Sequence, residues 1–180
     1  MATFVIDFSK NHFTLFGLEP AFQIDMTRLD QSYRDIQAQV HPDKFTHADA
    51  AERRLSMQWS THVNEAYQTL KQPIGRARYL LQLNGVDTQE ETNTAMPAAF
   101  LMEQMEWREA IGEAKDAGDA SELDHLGSKL RKAMQELQEG LGKQLDQQHD
   151  YAGAAETVRK LRFFDKLREE INDALEALEA

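Results

Sequence analysis

Apolar residues recur at helical spacing along nearly the whole chain, and this pattern limits the fold more than any other feature of the sequence. The clearest run lies between 123 and 145, where successive apolar residues stand three or four positions apart. Such spacing places side chains on one face of an α-helix. A similar run extends from 158 to 178. All four prolines lie between such segments, at positions 20, 42, 73 and 97. The sequence therefore predicts an all-helical fold.

The predicted helices form two groups, separated by a polar and aperiodic stretch at 86–95. The first group lies at about 11–18, 25–41, 49–72 and 74–83, and the second at about 98–117, 121–148 and 151–178. Asp25 is expected to cap the second helix, and expected core positions include Phe13, Phe16 and Leu18 of the first helix and Leu55 of the third. Three long helices with short connections predict an antiparallel three-helix bundle. We therefore expect four parts, which are an N-terminal extension at 1–10, a small helical domain at 11–83, a linker at 84–97 and an acidic bundle at 98–180.

Charge and composition exclude several classes of function. The net charge is −11, and residues 77–180 carry −10 of it, with twelve Lys and Arg against twenty-two Asp and Glu. Such acidity repels phosphate backbones, so nucleic acid is not an expected partner. The chain has no cysteine, which excludes disulfides and thiolate-bound metal. The longest apolar run, Ala98–Met102, is far shorter than the roughly 20 residues of a membrane span, so we expect no membrane association. No secretory signal is evident, which favours the cytoplasm.

The tripeptide His41-Pro42-Asp43 lies between the two long helices of the first group. If these helices pack antiparallel, the tripeptide stands at the exposed end of a hairpin, beside Lys44. One interpretation is an ordinary helix stop, since proline and aspartate are common in turns. A metal-dependent or acid/base enzyme would use His41, Asp43 and His47 or His62 as ligands. Their spacing matches no metal-binding motif, so we predict no catalytic residue, no metal site and no cofactor.

The helix at 98–117 has more apolar side chains than one buried face requires. At about 100° per residue, one face carries a sufficient core stripe. The opposite face combines Leu101, Met102 and Met105 with Glu106, Glu109 and Glu113. These residues are either cover for a neighbouring helix with a solvated acidic edge, or a protein-binding surface, for which flexible methionines are well suited.

Two features of the last helix complete the set of candidate residues. Phe164 continues the buried stripe, whereas Phe163 is turned from it by about 100° and is either bundle core or exposed. A basic cluster also interrupts the acidic bundle, and we predict that it forms intramolecular ion pairs. Its members are Arg159, Lys160, Arg162, Lys166 and Arg168.

The order of these motifs resembles the HscB family of J-domain co-chaperones in iron–sulfur cluster assembly. The resemblance rests on FTLFGLEP (13–20), HPDKF (41–45), RARYLLQLNG (76–85), FLMEQMEWRE (100–109) and VRKLRFFDKLR (158–168). It implies a J-domain joined to a C-terminal three-helix bundle. It also implies that the J-domain stimulates the ATPase of the DnaK-type chaperone HscA, while the bundle binds the cluster scaffold protein IscU.

The resemblance also implies roles for particular residues. Contact with HscA falls to His41, Pro42, Asp43 and Lys44, with a smaller contribution from Arg34 on the preceding helix. Contact with IscU falls to Leu101, Met102, Met105, Glu106, Glu109, Glu113 and Phe163. Val40 departs from the family, which often has tyrosine before the HPD tripeptide. The alternative function is a general J-domain co-chaperone that delivers unfolded clients.

Overall fold

A computed structural model describes residues 7–92 and 95–179. Across these residues the chain forms seven α-helices and no strand, so the all-helical prediction is confirmed. The helices are α1 (His12–Leu15), α2 (Met26–Val40), α3 (Ala50–Lys71), α4 (Pro73–Leu83), α5 (Ala98–Asp116), α6 (Ala120–Gly142) and α7 (Tyr151–Glu179). The chain divides into two compact units, Met1–Leu80 and Leu81–Ala180.

Helices α2 and α3 pack as a helical hairpin in the first unit. Asp25 begins α2 by accepting a hydrogen bond from the N–H of Arg28, as its capping role predicts. The Tyr33 and Tyr67 rings stack with centroids 3.9 Å apart. Further along α2, Gln37 Nε2 donates to Asn64 Oδ1 at 2.7 Å. Residues further along α2 thus contact residues nearer the start of α3, so the two helices are antiparallel.

The core of the first unit is aromatic near the N-terminus and aliphatic along the hairpin. Phe13, Phe16 and Leu18 are buried as predicted, although α1 is only a single turn. The shortening follows from Gly17, whose φ of +67° leaves the helical region. The expected core position of Leu55 on α3 is wrong, because its side chain is 42% exposed. The neighbouring Ser56 is buried instead.

A buried arginine on α4 bonds two backbone carbonyls that are distant from each other in the sequence of the first unit. Arg76 of α4 is only 8% exposed. Its Nε donates to the carbonyl of Phe22 and its Nη1 to the carbonyl of Leu70, both at 2.7 Å. The guanidinium also lies over the Phe22 ring, 4.8 Å from the centroid. One cation therefore joins the loop before α2, the end of α3 and the start of α4.

The second unit contains a three-helix bundle, in which α6 packs along α7 and α5 packs against both. The α5–α6 connection turns at Gly118, whose φ is +64°. Thr157, near the start of α7, donates a hydrogen bond to Gln144, just after the end of α6. Gly127, near the start of α6, lies opposite Ile171, near the end of α7, so the two helices are antiparallel. The core stripes predicted for the two helices are buried, apart from Leu137, which is half-buried, and Leu178, which is 44% exposed.

The connection from α6 to α7 differs from the long helix expected over 121–148. Regular α-helix ends at Gly142, and Lys143–Gln148 form a π-helical turn. His149 then adopts a left-handed conformation, with φ of +52°. The Asp150 carboxylate accepts from the N–H of Gly153 and so caps α7. The wider turn keeps Leu145 buried while reversing the chain within two residues.

The stretch expected to be a linker is grouped with the bundle. Thr88 is 3% exposed, and its carbonyl accepts a hydrogen bond from Arg159 Nη1 at 3.0 Å. Of the N-terminal extension, residues 1–6 lie outside the described residues. None of the described helices combines the length and apolar character needed to cross a membrane.

Candidate protein-binding surfaces

The HPD tripeptide lies at the junction of α2 and α3, as a 3₁₀ turn over Pro42–Phe45. His41 ends α2, and its Nδ1 accepts a hydrogen bond from the N–H of Asp43 at 3.3 Å. The Asp43 carboxylate lies 3.5 Å from the same nitrogen and its side chain is 88% exposed. The His41 side chain is 53% exposed. The turn therefore presents an imidazole and a carboxylate to solvent in a defined local arrangement.

Two contacts from α3 fix this turn. Ser56 Oγ donates to the carbonyl of Val40 at 2.7 Å, at the last residue before the tripeptide. Phe45 packs edge-on against Trp59, with centroids 6.4 Å apart. Ser56 was missed in the sequence, although it stands seven residues before the buried Val63 and three before Trp59, in phase with the core stripe. Its hydroxyl bonds the residue before the tripeptide on the buried side of the turn and does not reach the exposed side.

The exposed face of α2 offers limited charge. Arg34 is exposed, seven residues and two turns before His41, so the two residues share a face. Arg34 Nη2 donates to Gln31 Oε1 at 3.3 Å. The same Gln31 donates through Nε2 to Asp35 Oδ1 at 2.9 Å. A neighbouring carboxylate on this face offsets the guanidinium, so we expect a modest contribution from Arg34 to any partner contact.

His62 belongs to an aromatic cluster rather than to a set of metal ligands. Phe8 packs edge-on against it at 4.9 Å, and the His12 ring lies at 5.8 Å. His12 also stacks on Tyr79 at 4.2 Å. Burial lowers the pKa of His12, the nearby His62 lowers it further, and Glu65 acts in the opposite direction. Among the described residues no three histidine or acidic side chains lie close enough together to hold a metal ion.

On α5 the structure separates the predicted core from the predicted binding face. The core residues are Phe100, Trp107, Ile111 and Ala114, and each is buried. The opposite face is open, with Met102 64% and Met105 72% exposed. Leu101 is exposed to a lesser degree, at 44%. The predicted glutamates Glu106, Glu109 and Glu113 are exposed as well. This helix therefore presents an apolar strip edged by carboxylates, which we call the methionine face.

Phe163 lies against the same helix from α7. It is half-buried, and its ring contacts Phe100 edge-on at 5.8 Å. The Arg108 guanidinium lies 5.5 Å from the Phe163 centroid. The sequence left open whether this side chain is bundle core or exposed, and the structure places it at the edge of the core, beside α5. Arg108 was not singled out in the sequence, because its contact depends on the packing of α5 and α7.

Three of the five members of the basic cluster of α7 form the predicted ion pairs within the bundle. Lys160 pairs with Glu156 at 3.2 Å. Asp165 pairs with both Arg162 and Arg168. Arg159 donates to the Thr88 carbonyl. These cations therefore serve internal contacts.

A helical hairpin with an exposed HPD turn, together with an acidic helical bundle, defines a J-domain co-chaperone. Residues 96–172 match the family model described as the HSCB C-terminal oligomerisation domain. The co-chaperone protein HscB homolog of Aromatoleum aromaticum is 52% identical over 174 residues, which cover 97% of this chain and 98% of that protein. The chain belongs to the HscB family of co-chaperones.

Solved structures give the same assignment. The chaperone HscB from Vibrio cholerae is 35% identical, with a TM-score of 0.83, over 94% of this chain and 99% of that one. The human co-chaperone protein HscB is 31% identical, with a TM-score of 0.87, over 93% and 83% of the two chains. The J-domain and helical-bundle architecture is thus shared with proteins from distant organisms.

Proposed function

We propose that this protein is a two-site adaptor in iron–sulfur cluster assembly. Its J-domain stimulates ATP hydrolysis by the DnaK-type chaperone HscA, and its bundle binds and delivers the scaffold IscU. The observation that carries the proposal is the methionine face, where Met102 and Met105 are exposed on a helix whose core face is already filled. No catalytic residue or cofactor of this chain takes part, and the activity belongs to the cytoplasm.

The chaperone-binding role falls to the HPD turn. Pro42 restricts the backbone, and Ser56 holds the residue that precedes the tripeptide. The backbone that carries His41 and Asp43 therefore has little conformational entropy left to lose on binding. Lys44 is exposed beside them, and Arg34 lies on the same face two turns earlier. Contacts of this kind act on the ATPase only through the chaperone, because the turn itself carries no reacting group.

The scaffold-binding role falls to the methionine face together with Phe163. Leu101, Met102 and Met105 provide an apolar centre whose flexible side chains adapt to a partner surface. Glu106, Glu109 and Glu113 form a charged edge that favours a partner with basic residues at its rim. An apolar centre with a polar rim is the usual anatomy of a protein interface.

The presence of both sites on one chain favours delivery of the scaffold to the chaperone. A scaffold bound to the bundle is held near a chaperone bound to the J-domain, so its effective concentration at the chaperone rises. ATP hydrolysis stimulated through the HPD turn then coincides with the presence of the scaffold. The absence of cysteine agrees with this division, since the chain carries the scaffold and provides no thiolate for the cluster itself.

The test of the chaperone-binding role is the single-turnover ATPase rate of HscA, measured with and without this protein and with and without IscU. Wild-type protein should stimulate hydrolysis, and IscU should increase the stimulation synergistically. Asp43→Ala should abolish stimulation while scaffold affinity stays unchanged. Asp124→Ala, which removes an equal charge from an exposed position on α6, is the matched control and should behave as wild type.

The test of the scaffold-binding role is the affinity for IscU measured by calorimetry. Met102→Ala combined with Met105→Ala should weaken binding about tenfold or more, since central apolar anchors carry most interface energy. Stimulation by the J-domain alone should persist. Met57→Ala is the control, because Met57 is 61% exposed on α3. Stimulation that ignores IscU would leave a general J-domain co-chaperone, and absent stimulation would remove the co-chaperone activity altogether.

A further inference from the structure

A depression of about 430 Å³ lies between α5 and α6, next to the methionine face. Its floor is formed by the Trp107 ring with Leu126, Ala110 and Ala133. Glu106 belongs both to its rim and to the methionine face, so the two surfaces are continuous. This lining suits a long charged side chain, which needs an apolar wall for its stem and a polar rim for its end.

Three glutamates and two lysines line the depression, which leaves a surplus of one negative charge. Glu103 and Glu106 stand on the α5 side, and Glu136 faces them from α6. Within the described part of the chain, none of the three makes an ion pair. This differs from Asp165 of the same bundle, which pairs with two arginines. The three carboxylates are thus free to receive a cation from outside the chain.

The floor already holds a cation in the free protein. Lys129 Nζ lies 5.7 Å from the centroid of the Trp107 ring, which is a cation–π contact. Both Lys129 and its neighbour Lys132 are exposed on α6. Lys129 therefore occupies the floor as a flexible side chain that can swing into water at small cost.

We propose that this depression is an extension of the scaffold-binding surface and receives an arginine or lysine side chain of the scaffold. The incoming cation displaces Lys129 from Trp107, lays its alkyl stem on the apolar floor and places its charged end among Glu103, Glu106 and Glu136. This inference rests on the proposed function, since it names a contact within the same complex. An arginine fits best, because its planar guanidinium stacks on an aromatic ring and bonds carboxylates at its edges.

The proposal predicts opposite changes in IscU affinity for two sets of substitutions in the same depression. Glu103→Gln with Glu136→Gln removes two ligands of the cation and should weaken IscU binding about fivefold to tenfold, the loss expected for two exposed ion pairs. Lys129→Met removes the competitor and should strengthen binding about threefold, since a weak exposed contact is all that is lost. If the lysines themselves contacted acidic groups of the scaffold, Lys129→Met would weaken binding instead.

The experiment is calorimetric titration of the full-length variants with IscU, with the Trp107 indole N–H resonance as a local probe. Glu169→Gln with Glu170→Gln makes the same charge change at exposed positions of α7 and is the control. Scaffold binding should shift the Trp107 resonance and leave that of Trp59 unchanged. Affinities of the Glu103 and Glu136 variant equal to the control, or weaker binding by Lys129→Met, would overturn the inference. The methionine variants test the proposed function separately, because they leave this depression intact.

Discussion

The hydrogen bond behind the HPD turn predicts that a buried serine, which contacts no partner, governs co-chaperone activity. Ser56 is 0% exposed, and its hydroxyl donates to the Val40 carbonyl at 2.7 Å. Ser56→Ala removes this donor, and a buried acceptor left without its partner costs about 1–3 kcal/mol. A loss of about 1 kcal/mol lowers the melting temperature of a unit of this size by about 4–8 °C.

The same free energy should change the population of the binding-competent turn. A loss of about 1.4 kcal/mol shifts an equilibrium by a factor of about ten, so a fraction of molecules would no longer present His41 and Asp43 correctly. Apparent affinity falls in proportion to the competent fraction. We therefore expect Ser56→Ala to raise the concentration required for half-maximal ATPase stimulation, with the maximal rate recovered at saturation.

The assay combines thermal unfolding with a titration of HscA ATPase stimulation. Ser60→Ala is the matched control, because Ser60 lies one turn further along α3 and donates to Gln37 Oε1 at 3.2 Å from a half-buried position. The control should change stability by a smaller amount and leave the titration midpoint unchanged. Wild-type stability and an unchanged midpoint for Ser56→Ala would refute the claim that the hydrogen bond from Ser56 to Val40 stabilises the turn.

Two further predictions concern the stability of the first unit. Arg76→Met leaves the carbonyls of Phe22 and Leu70 without their donor and should lower the free energy of unfolding by about 3–5 kcal/mol, measured by urea titration; a change below about 1 kcal/mol would contradict the bridging role. Burial lowers the pKa of His12, so the unfolded chain binds more protons than the folded one as the pH falls. Stability should be full above about pH 6.5 and decline as the pH falls below it. The decline should be smaller in His12→Phe and unchanged in the exposed control His125→Gln, as measured by unfolding at pH 5–8.

Features that depend on residues of a single helix could be predicted from the sequence. Helix caps such as Asp25 and the core stripes of α6 and α7 depend on spacing within a single segment, and the structure agrees with them apart from the ends. The division of α5 into a buried and an exposed face also follows from spacing alone. The exposure of the HPD turn follows from proline between two packed helices.

The failures have a common physical cause, which is dependence on a second segment. Leu55 was expected in the core because it stands one turn before Trp59 in the apolar stripe of α3, yet Ser56 takes the buried place, where its hydroxyl bonds a carbonyl of α2. The depression beside Trp107 exists only because α5 and α6 pack with charged rims, so neither helix indicates it alone. Single-segment periodicity contains no information about such partners.

The π-helical turn at Lys143–Gln148 has a consequence for how this family can change in length. The turn contains one residue more per hydrogen-bonded ring than an α-helix. Deleting one residue there would shorten the connection that keeps Leu145 buried and places Asp150 as the cap of α7. Substitutions at the exposed positions Gln147 and Gln148 leave that geometry unchanged. Related sequences should therefore vary in residue type across this turn, while insertions and deletions accumulate elsewhere.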